Sequence, residues 1–283
     1  MTARVLDGKA VAKQIYDEVN AAVMERISGG GSRPRLATVL VGEDPASAKY
    51  VELKQRNAHS VGIESEDHRL PSSTSTEELL ALVDRLNRDD LVSAILIQQP
   101  TPKQIDMRRI VLALDPVKDV DGFHPLNAGL VALGLPGGVE PCTPAGIVEL
   151  LLRSGIPIEG ANAVVIGRSN LVGKPTAMLL LQRHATVTVC HTRTKDLGAH
   201  TLTADILVAA AGRARLVSSE MVKAGAVVVD VSTNWVDGRQ VGDLGPGIES
   251  VAGWLTPNPG GVGPMTRAML IRNTYLAEAR RKG

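Results

Sequence analysis

Two groups of residues in this sequence have types and spacings suited to chemistry. Tyr50 and Lys54 stand four apart in Tyr50-Val51-Glu52-Leu53-Lys54, which puts a phenol and an amine on one face of a helix. Gln98 follows the apolar run Ala94 to Ile97, just before Pro100-Thr101-Pro102, and Asp121 lies in Lys118-Asp119-Val120-Asp121-Gly122-Phe123-His124-Pro125. A base, an amide, a phenol and a carboxylate together could move a proton and hold a polar heterocycle. Singly, each has a structural explanation: a surface lysine, a strand end, a core ring and a favourable Asp-Gly turn.

The second group is Gly167-Arg168-Ser169-Asn170-Leu171-Val172-Gly173-Lys174-Pro175, which follows the apolar run Ala163 to Ile166. Gly167 allows a sharp turn, Gly173 a close backbone approach, and Pro175 suits a first helical turn whose free amides would face an anion. The spacing is G-x-S-x-x-x-G rather than G-x-G-x-x-G, so a pyrophosphate should sit farther from the helix than in ordinary dinucleotide folds. An NAD site would place an acidic residue about 20 positions past the first glycine. Here stands Cys190-His191-Thr192-Arg193, and Arg168, Thr192 and Arg193 favour a phosphorylated ribose, hence NADP.

Alternating helical and extended patterns must position these groups. Val11, Ile15, Val19 and Val23 mark a helix from Lys9 to about Ile27, followed by a strand at Leu36 to Val41. Asp44 and Pro45 cap a helix over Ala46 to Ser60, and Ser75 with Glu78 has capping-box spacing ahead of a helix that feeds the strand Ala94 to Ile97. The Gly- and Pro-rich stretch from Gly134 to Pro144 reads as a connection, with Thr143-Pro144 opening a helix through Leu152. Strands are then expected at Ala163 to Ile166, Thr186 to Cys190, Ile206 to Ala210 and Ala226 to Val231, and a last helix at Met265 to Arg281.

This order predicts an α/β protein with two α/β domains flanking a cleft, the C-terminal one a Rossmann-like doubly wound parallel sheet. Residues 1–142 would form a catalytic domain with helix 265–283 packing back on it, and residues 143–264 the nucleotide-binding domain. Thirty-one basic residues nearly cancel thirty acidic ones, no basic block stands out, and aromatic residues are 2% of the chain, which argues against a nucleic-acid partner. Cys142 and Cys190 give neither a disulfide framework nor a zinc site, no histidine pair has metal-ligand spacing, and no metal is expected. No segment has the length and apolarity of a membrane span or signal peptide, so a cytoplasmic protein with a small-molecule substrate is expected.

Taken together, these stretches, with Pro141-Cys142-Thr143-Pro144 and Pro257-Asn258-Pro259-Gly260-Gly261-Val262-Gly263-Pro264-Met265-Thr266-Arg267, resemble the bifunctional methylenetetrahydrofolate dehydrogenase/methenyltetrahydrofolate cyclohydrolase family over nearly the whole chain. The resemblance implies NADP-dependent oxidation of 5,10-methylenetetrahydrofolate and hydrolysis of the methenyl product to 10-formyltetrahydrofolate, in one cleft. It makes Lys54 the catalytic group of the hydration, Gln98 its hydrogen-bonding partner, Tyr50 the ring against the substrate and Asp121 the carboxylate that pairs with the pterin. Pro259, Gly260, Gly261 and Val262 would line the folate side. Gly167, Arg168, Ser169, Gly173, Thr192, Arg193 and Thr233 would meet the cofactor, and a homodimer is implied. Hydration needs a proton shuttle, so Lys54 is expected to be desolvated and hydrogen-bonded to Gln98.

The sequence departs from the family in places. Gln99 and Thr101 stand where aliphatic residues are usual, and Ser232-Thr233 replaces a common Gly-Ile pair in a loop expected near the cofactor, where a side chain bears on backbone geometry. Three alternatives differ in chemistry: a dehydrogenase without hydration, which would not need Lys54, Gln98 and Asp121; another NADP-dependent two-domain oxidoreductase acting on keto or amino acids; and a dinucleotide sensor without turnover.

Overall fold

The elements follow from local signals reinforced by burial. In the computed structural model, which describes residues 2–281, strand β1 (Arg4–Val5) precedes helix α1 (Gly8–Ser28), then β2 (Arg35–Val41), α2 (Pro45–Ser60), β3 (Glu64–Leu70), α3 (Thr76–Arg88), β4 (Ala94–Ile97), α4 (Met107–Ala113) and α5 (Pro125–Leu133). There follow α6 (Cys142–Arg153), β5 (Asn162–Ile166), α7 (Gly173–Gln182), β6 (Thr186–Cys190), α8 (Leu197–Thr201), β7 (Ile206–Ala209) and β8 (Val227–Asp230). A hairpin, β9 (Asn234–Val236) and β10 (Arg239–Val241), then β11 (Trp254–Leu255) and α9 (Val262–Arg281), complete the chain. The protein is α/β, as the sequence predicts.

The chain divides into two compact units. One comprises Lys13–Leu130, Leu135–Cys142 and the chain from Arg267 onward; the other the chain up to Ala12, Val131–Gly134 and Thr143–Thr266. Arg4–Val5 thus belong with the residues of the second unit, where β1 pairs with β11, rather than with the rest of residues 1–142. The division falls inside α9, which starts at Val262, three residues before the expected Met265, because Pro264 is tolerated within a first helical turn. Residues 282 and 283 of the expected last helix lie outside the described residues.

The first unit holds a three-stranded parallel sheet, order β3-β2-β4. Ala37, Val39 and Val41 of β2 alternate toward α3, whose Leu79, Leu82, Val83 and Leu86 cover them. Burying each such side chain contributes on the order of 1.5–3 kcal/mol. The capping box is complete: Glu78 N donates to Ser75 Oγ (3.2 Å) and Ser75 N to Glu78 Oε2 (2.7 Å), which starts α3 where the sequence places it. Lys118, fully buried, ends it. Its ammonium donates to the carbonyls of Leu86 (2.9 Å), Asn87 (2.7 Å) and Asp89 (2.8 Å), a cation at the negative end of the helix.

The second unit holds a six-stranded sheet, order β1-β11-β8-β7-β5-β6, with every neighbouring pair parallel. From β5 the chain passes to β6 on one side and then to β7 on the other. This reversal marks the place where doubly wound sheets bind ligands, beyond the carboxyl ends of the strands. Among the described residues no helix is long and apolar enough to cross a membrane.

Candidate functional site

In the first unit, Asp44 sets the start of α2 by accepting the Ser47 amide at 2.7 Å, with Pro45 in the first turn. That fixes the helical phase of Tyr50, which is exposed, and of Lys54 one turn later, which is half-buried. β4 is buried throughout and delivers Gln98 at its carboxyl end, where the Gln98 amide extends the ladder to Val39 O (2.9 Å). Lys54 Nζ donates to Gln98 Oε1 at 3.0 Å, so the expected hydrogen bond is present; the desolvation is partial. Gln98 Nε2 donates to the Gln99 carbonyl, which turns the amide oxygen toward the lysine.

Asp121 is placed by a segment that the sheet itself holds. The Ile95 amide donates to Lys118 O (2.7 Å), and Ile95 bridges Asp119 in parallel, so residues 118–121 run beside β4. Asp119 accepts the His124 amide (2.7 Å) and Asn127 Nδ2 (3.1 Å), folding the chain back at Gly122. Gly122 has φ +70°, and a Cβ there would stand 2.5 Å from Val139 O, so no other residue fits without a shift. Asn273 Nδ2 donates to both Val120 O and Glu140 O at 3.0 Å, clamping the far side of this turn. Asn273 had no signal in the sequence, because its partners lie more than 130 residues away.

Electrostatics link Asp121 with Lys54. Burial of the Asp121 carboxyl raises its pKa above the ordinary carboxylate range, although solvent reaches part of the residue; the Lys54 charge opposes this and the Asp119 charge adds to it. Burial likewise raises Asp119, against the pull of its hydrogen bonds from His124 and Asn127. It also pushes the Cys142 thiol well up, with the Asp121 charge second, so this cysteine is an inert neutral donor, 3.2 Å from Val120 O. Lys54, Gln98 and Asp121 therefore share one electrostatic neighbourhood in the first unit, while Pro259, Gly260, Gly261 and Val262 belong to the second.

In the second unit, Gly167 ends β5 with φ +124°, and a Cβ there would stand 2.2 Å from Ala210 O. A Cβ on Gly173 would stand 2.2 Å from Gly167 O. Both glycines are thus required by close backbone packing. Ser169 Oγ accepts the amides of Val172 (3.1 Å) and Gly173 (3.3 Å), and Ser169 O accepts that of Lys174 (3.1 Å). This corrects one expectation: the first amides of α7 are not open to an anion, because the longer loop folds back and satisfies them through Ser169.

The groups that could meet a phosphate here are side chains. Ile166 pairs with Cys190, so the loops after β5 and β6 lie side by side and carry the exposed Arg168 and, on a turn closed by the Thr194 amide on His191 O (2.8 Å), the exposed Thr192 and Arg193. The nearest downstream carboxylate, Asp196, is used to cap α8 through the Ala199 amide (3.1 Å). Glycine-tight backbone, an arginine on each of two neighbouring loops and no carboxylate for a ribose diol fit NADP. Thr233 is exposed on the loop after β8. The turn before α9 is equally tight: Gly260 has φ +118°, the Gly261 amide donates to Pro257 O (2.8 Å), and a Cβ on Gly8 would stand 1.8 Å from Gly261 O.

Residues 6–121 match the family model described as tetrahydrofolate dehydrogenase/cyclohydrolase, catalytic domain, and residues 141–282 match its NAD(P)-binding domain. The chain belongs to the tetrahydrofolate dehydrogenase/cyclohydrolase family. It is 52% identical over 276 residues to the bifunctional protein FolD of Halothermothrix orenii, covering 97% of each chain. The bifunctional FolD structure from Campylobacter jejuni superposes with a TM-score of 0.96 at 44% identity, over 99% of both chains. The Trypanosoma brucei dehydrogenase-cyclohydrolase, solved with NADP and an inhibitor, gives 0.92 at 37% identity over 99% of both. Membership in this tetrahydrofolate family agrees with the resemblance carried by the motifs, and its second model is an NAD(P)-binding domain.

Proposed function

We infer that this protein oxidises 5,10-methylenetetrahydrofolate to 5,10-methenyltetrahydrofolate with NADP and hydrolyses the methenyl product to 10-formyltetrahydrofolate. The observation that carries the second activity is the Lys54–Gln98 hydrogen bond in the electrostatic neighbourhood of Asp121. Bound NADP supplies the hydride acceptor for the first step, a transfer that needs alignment more than an acid or base.

The chain's own residues carry the hydration. Water adds its oxygen to the methenyl carbon and must lose a proton; the C–N bond to the ring nitrogen then breaks as that nitrogen gains a proton and the hydroxyl left on carbon releases its own to solvent, forming the formyl C=O. Lys54 Nζ takes the first proton and returns it to the nitrogen, while Gln98 Oε1 fixes where the amine sits. Asp121 holds the pterin by accepting its N–H groups, and Tyr50 lies against the ring. In the other unit, Pro259 through Val262 line the folate side, and Arg168, Thr192 and Arg193 hold the cofactor phosphate, with Gly167, Ser169, Gly173 and Thr233 shaping the loops it meets.

The same reading makes the protein a cytoplasmic homodimer supplying formyl groups to purine synthesis, without nucleic-acid partners; light scattering of the purified chain tests the dimer. Following NADPH and methenyl absorbance together during turnover tests the function. Both signals should rise, and the methenyl signal should then decay. NADPH formation with a methenyl product that persists would leave a dehydrogenase alone.

A further inference from the structure

The sheet's reversal point lies between β5 and β7, and the loop after β7, Ala210 to Arg213, forms one wall there. It packs so closely on the loop after β5 that the missing Cβ of Gly167 would stand 2.2 Å from Ala210 O. This wall is built around Asp243, a fully buried carboxylate just past β10. Asp243 Oδ2 accepts the amides of Ala211 (2.6 Å) and Gly212 (3.1 Å) and the Ser232 hydroxyl (2.7 Å). Its Oδ1 accepts the Arg213 amide (2.8 Å) and Asn234 Nδ2 (3.1 Å).

Three consecutive backbone amides converging on one anion form a nest of the kind that elsewhere takes a phosphate. Here the chain fills it with its own carboxylate, so the nest is closed to the cofactor's phosphates and the loop is held in one shape. Ser232 extends the clamp to the loop after β8. Its hydroxyl accepts the Gly212 amide (3.0 Å) while donating to Asp243, and its carbonyl accepts Asn258 Nδ2 (2.9 Å). Asp243 N donates to Asp230 Oδ1 at 3.0 Å, which ties the clamp back to β8. The hydroxyl at 232, a departure flagged in the sequence, therefore joins the two loops through its side chain.

With Arg168 and Arg193 on the β5–β6 side holding the phosphorylated ribose, the dinucleotide's other half must lie across the reversal point, toward the loops after β7 and β8. We propose that Asp243 and Ser232 are positioning residues for the nicotinamide half of the cofactor: the buried carboxylate and the bridging hydroxyl hold both loops in the shape that receives it. This rests on the NADP reading above and adds residues that touch the cofactor only through the loops they fix.

The test uses Ser232→Ala, Ser232→Thr and Asp243→Asn in the full chain, measuring NADPH affinity by fluorescence titration, both activities, and the melting temperature without cofactor. Ser232→Ala should weaken NADPH about 3–10-fold, the scale of one lost hydrogen bond, and lower the ratio of dehydrogenase to cyclohydrolase rates; Ser232→Thr, which keeps the hydroxyl, should restore both. Asp243→Asn should weaken NADPH more than about 10-fold. Unchanged NADPH affinity in Ser232→Ala, or an Asp243→Asn protein that loses stability and both activities together with NADPH affinity intact, overturns the proposal. If Asp243→Asn does not fold, the Ser232 pair decides alone. Absence of NADPH binding by the parent protein would sink the NADP reading as well, which separates the two failures.

Discussion

Lys54 Nζ and Gln98 Oε1 are 3.0 Å apart, and the nitrogen of the Gln98 side-chain amide donates to its neighbour's carbonyl, so the lysine meets an oxygen whose orientation is already fixed. An amine positioned this way can shuttle a proton without searching for its geometry.

Lys54→Met removes the shuttle and keeps most of the volume. Cyclohydrolase activity should fall at least about 100-fold, the usual worth of a general acid–base, while NADP reduction persists. Gln98→Met should give a smaller loss of the same activity. Stopped-flow decay of the methenyl absorbance measures both, and undiminished decay in Lys54→Met would remove the lysine from the mechanism.

Asp121 pits binding against stability. Because burial raises its carboxyl pKa in the folded state, its favourable contribution is complete below the unfolded pKa and is lost as pH rises through the raised folded value. Where the unfolded carboxyl is ionised, folding therefore carries a burial cost that Asp121→Asn lacks. Melting curves should show the variant more stable at neutral pH, with the gain vanishing in the acid range below ordinary carboxylate pKa values. Its folate KM should rise about 10–100-fold, as expected for losing a charge-assisted pair.

The proposed function gives the cofactor choice to Arg168 and Arg193. Replacing either with Ala should raise the KM for NADP about 10–100-fold and leave that for NAD nearly unchanged, narrowing the preference. Parallel losses with both cofactors would show that the arginines do not read the extra phosphate.

Lys118→Met deletes a buried ammonium that satisfies three carbonyls at the end of α3. Urea unfolding should give a loss of about 2–4 kcal/mol, the scale of orphaning buried polar groups, with catalysis per folded molecule little altered. An unchanged midpoint would mean that water replaces the amine.

The parts of the site legible in the sequence are those set by neighbours in the chain. Asp44 and Pro45 start α2 and so phase Tyr50 with Lys54; the apolar run of β4 delivers Gln98; Gly167 and Gly173 mark a turn too tight for side chains. What escaped depends on distant partners. Nothing near Asn273 or Asp243 announces that their side chains reach carbonyls and amides of other segments. α5 carries Asn127 and Gly129, weak helix formers, yet it forms because Asn127 is buried and bonds to Pro116 O, Asp119 and the Val139 amide. The amides at the start of α7 are available from spacing alone; in the folded loop Ser169 consumes them.

β1 is two residues long and, among the described residues, its strand partner in the sheet is β11, Trp254–Leu255. During synthesis, then, Arg4 and Val5 emerge first among the strands but have nothing to pair with until some 250 further residues have left the ribosome. The nucleotide-binding sheet is sealed at that margin by two strands far apart along the chain, so this margin closes only after β5 to β8 have been made.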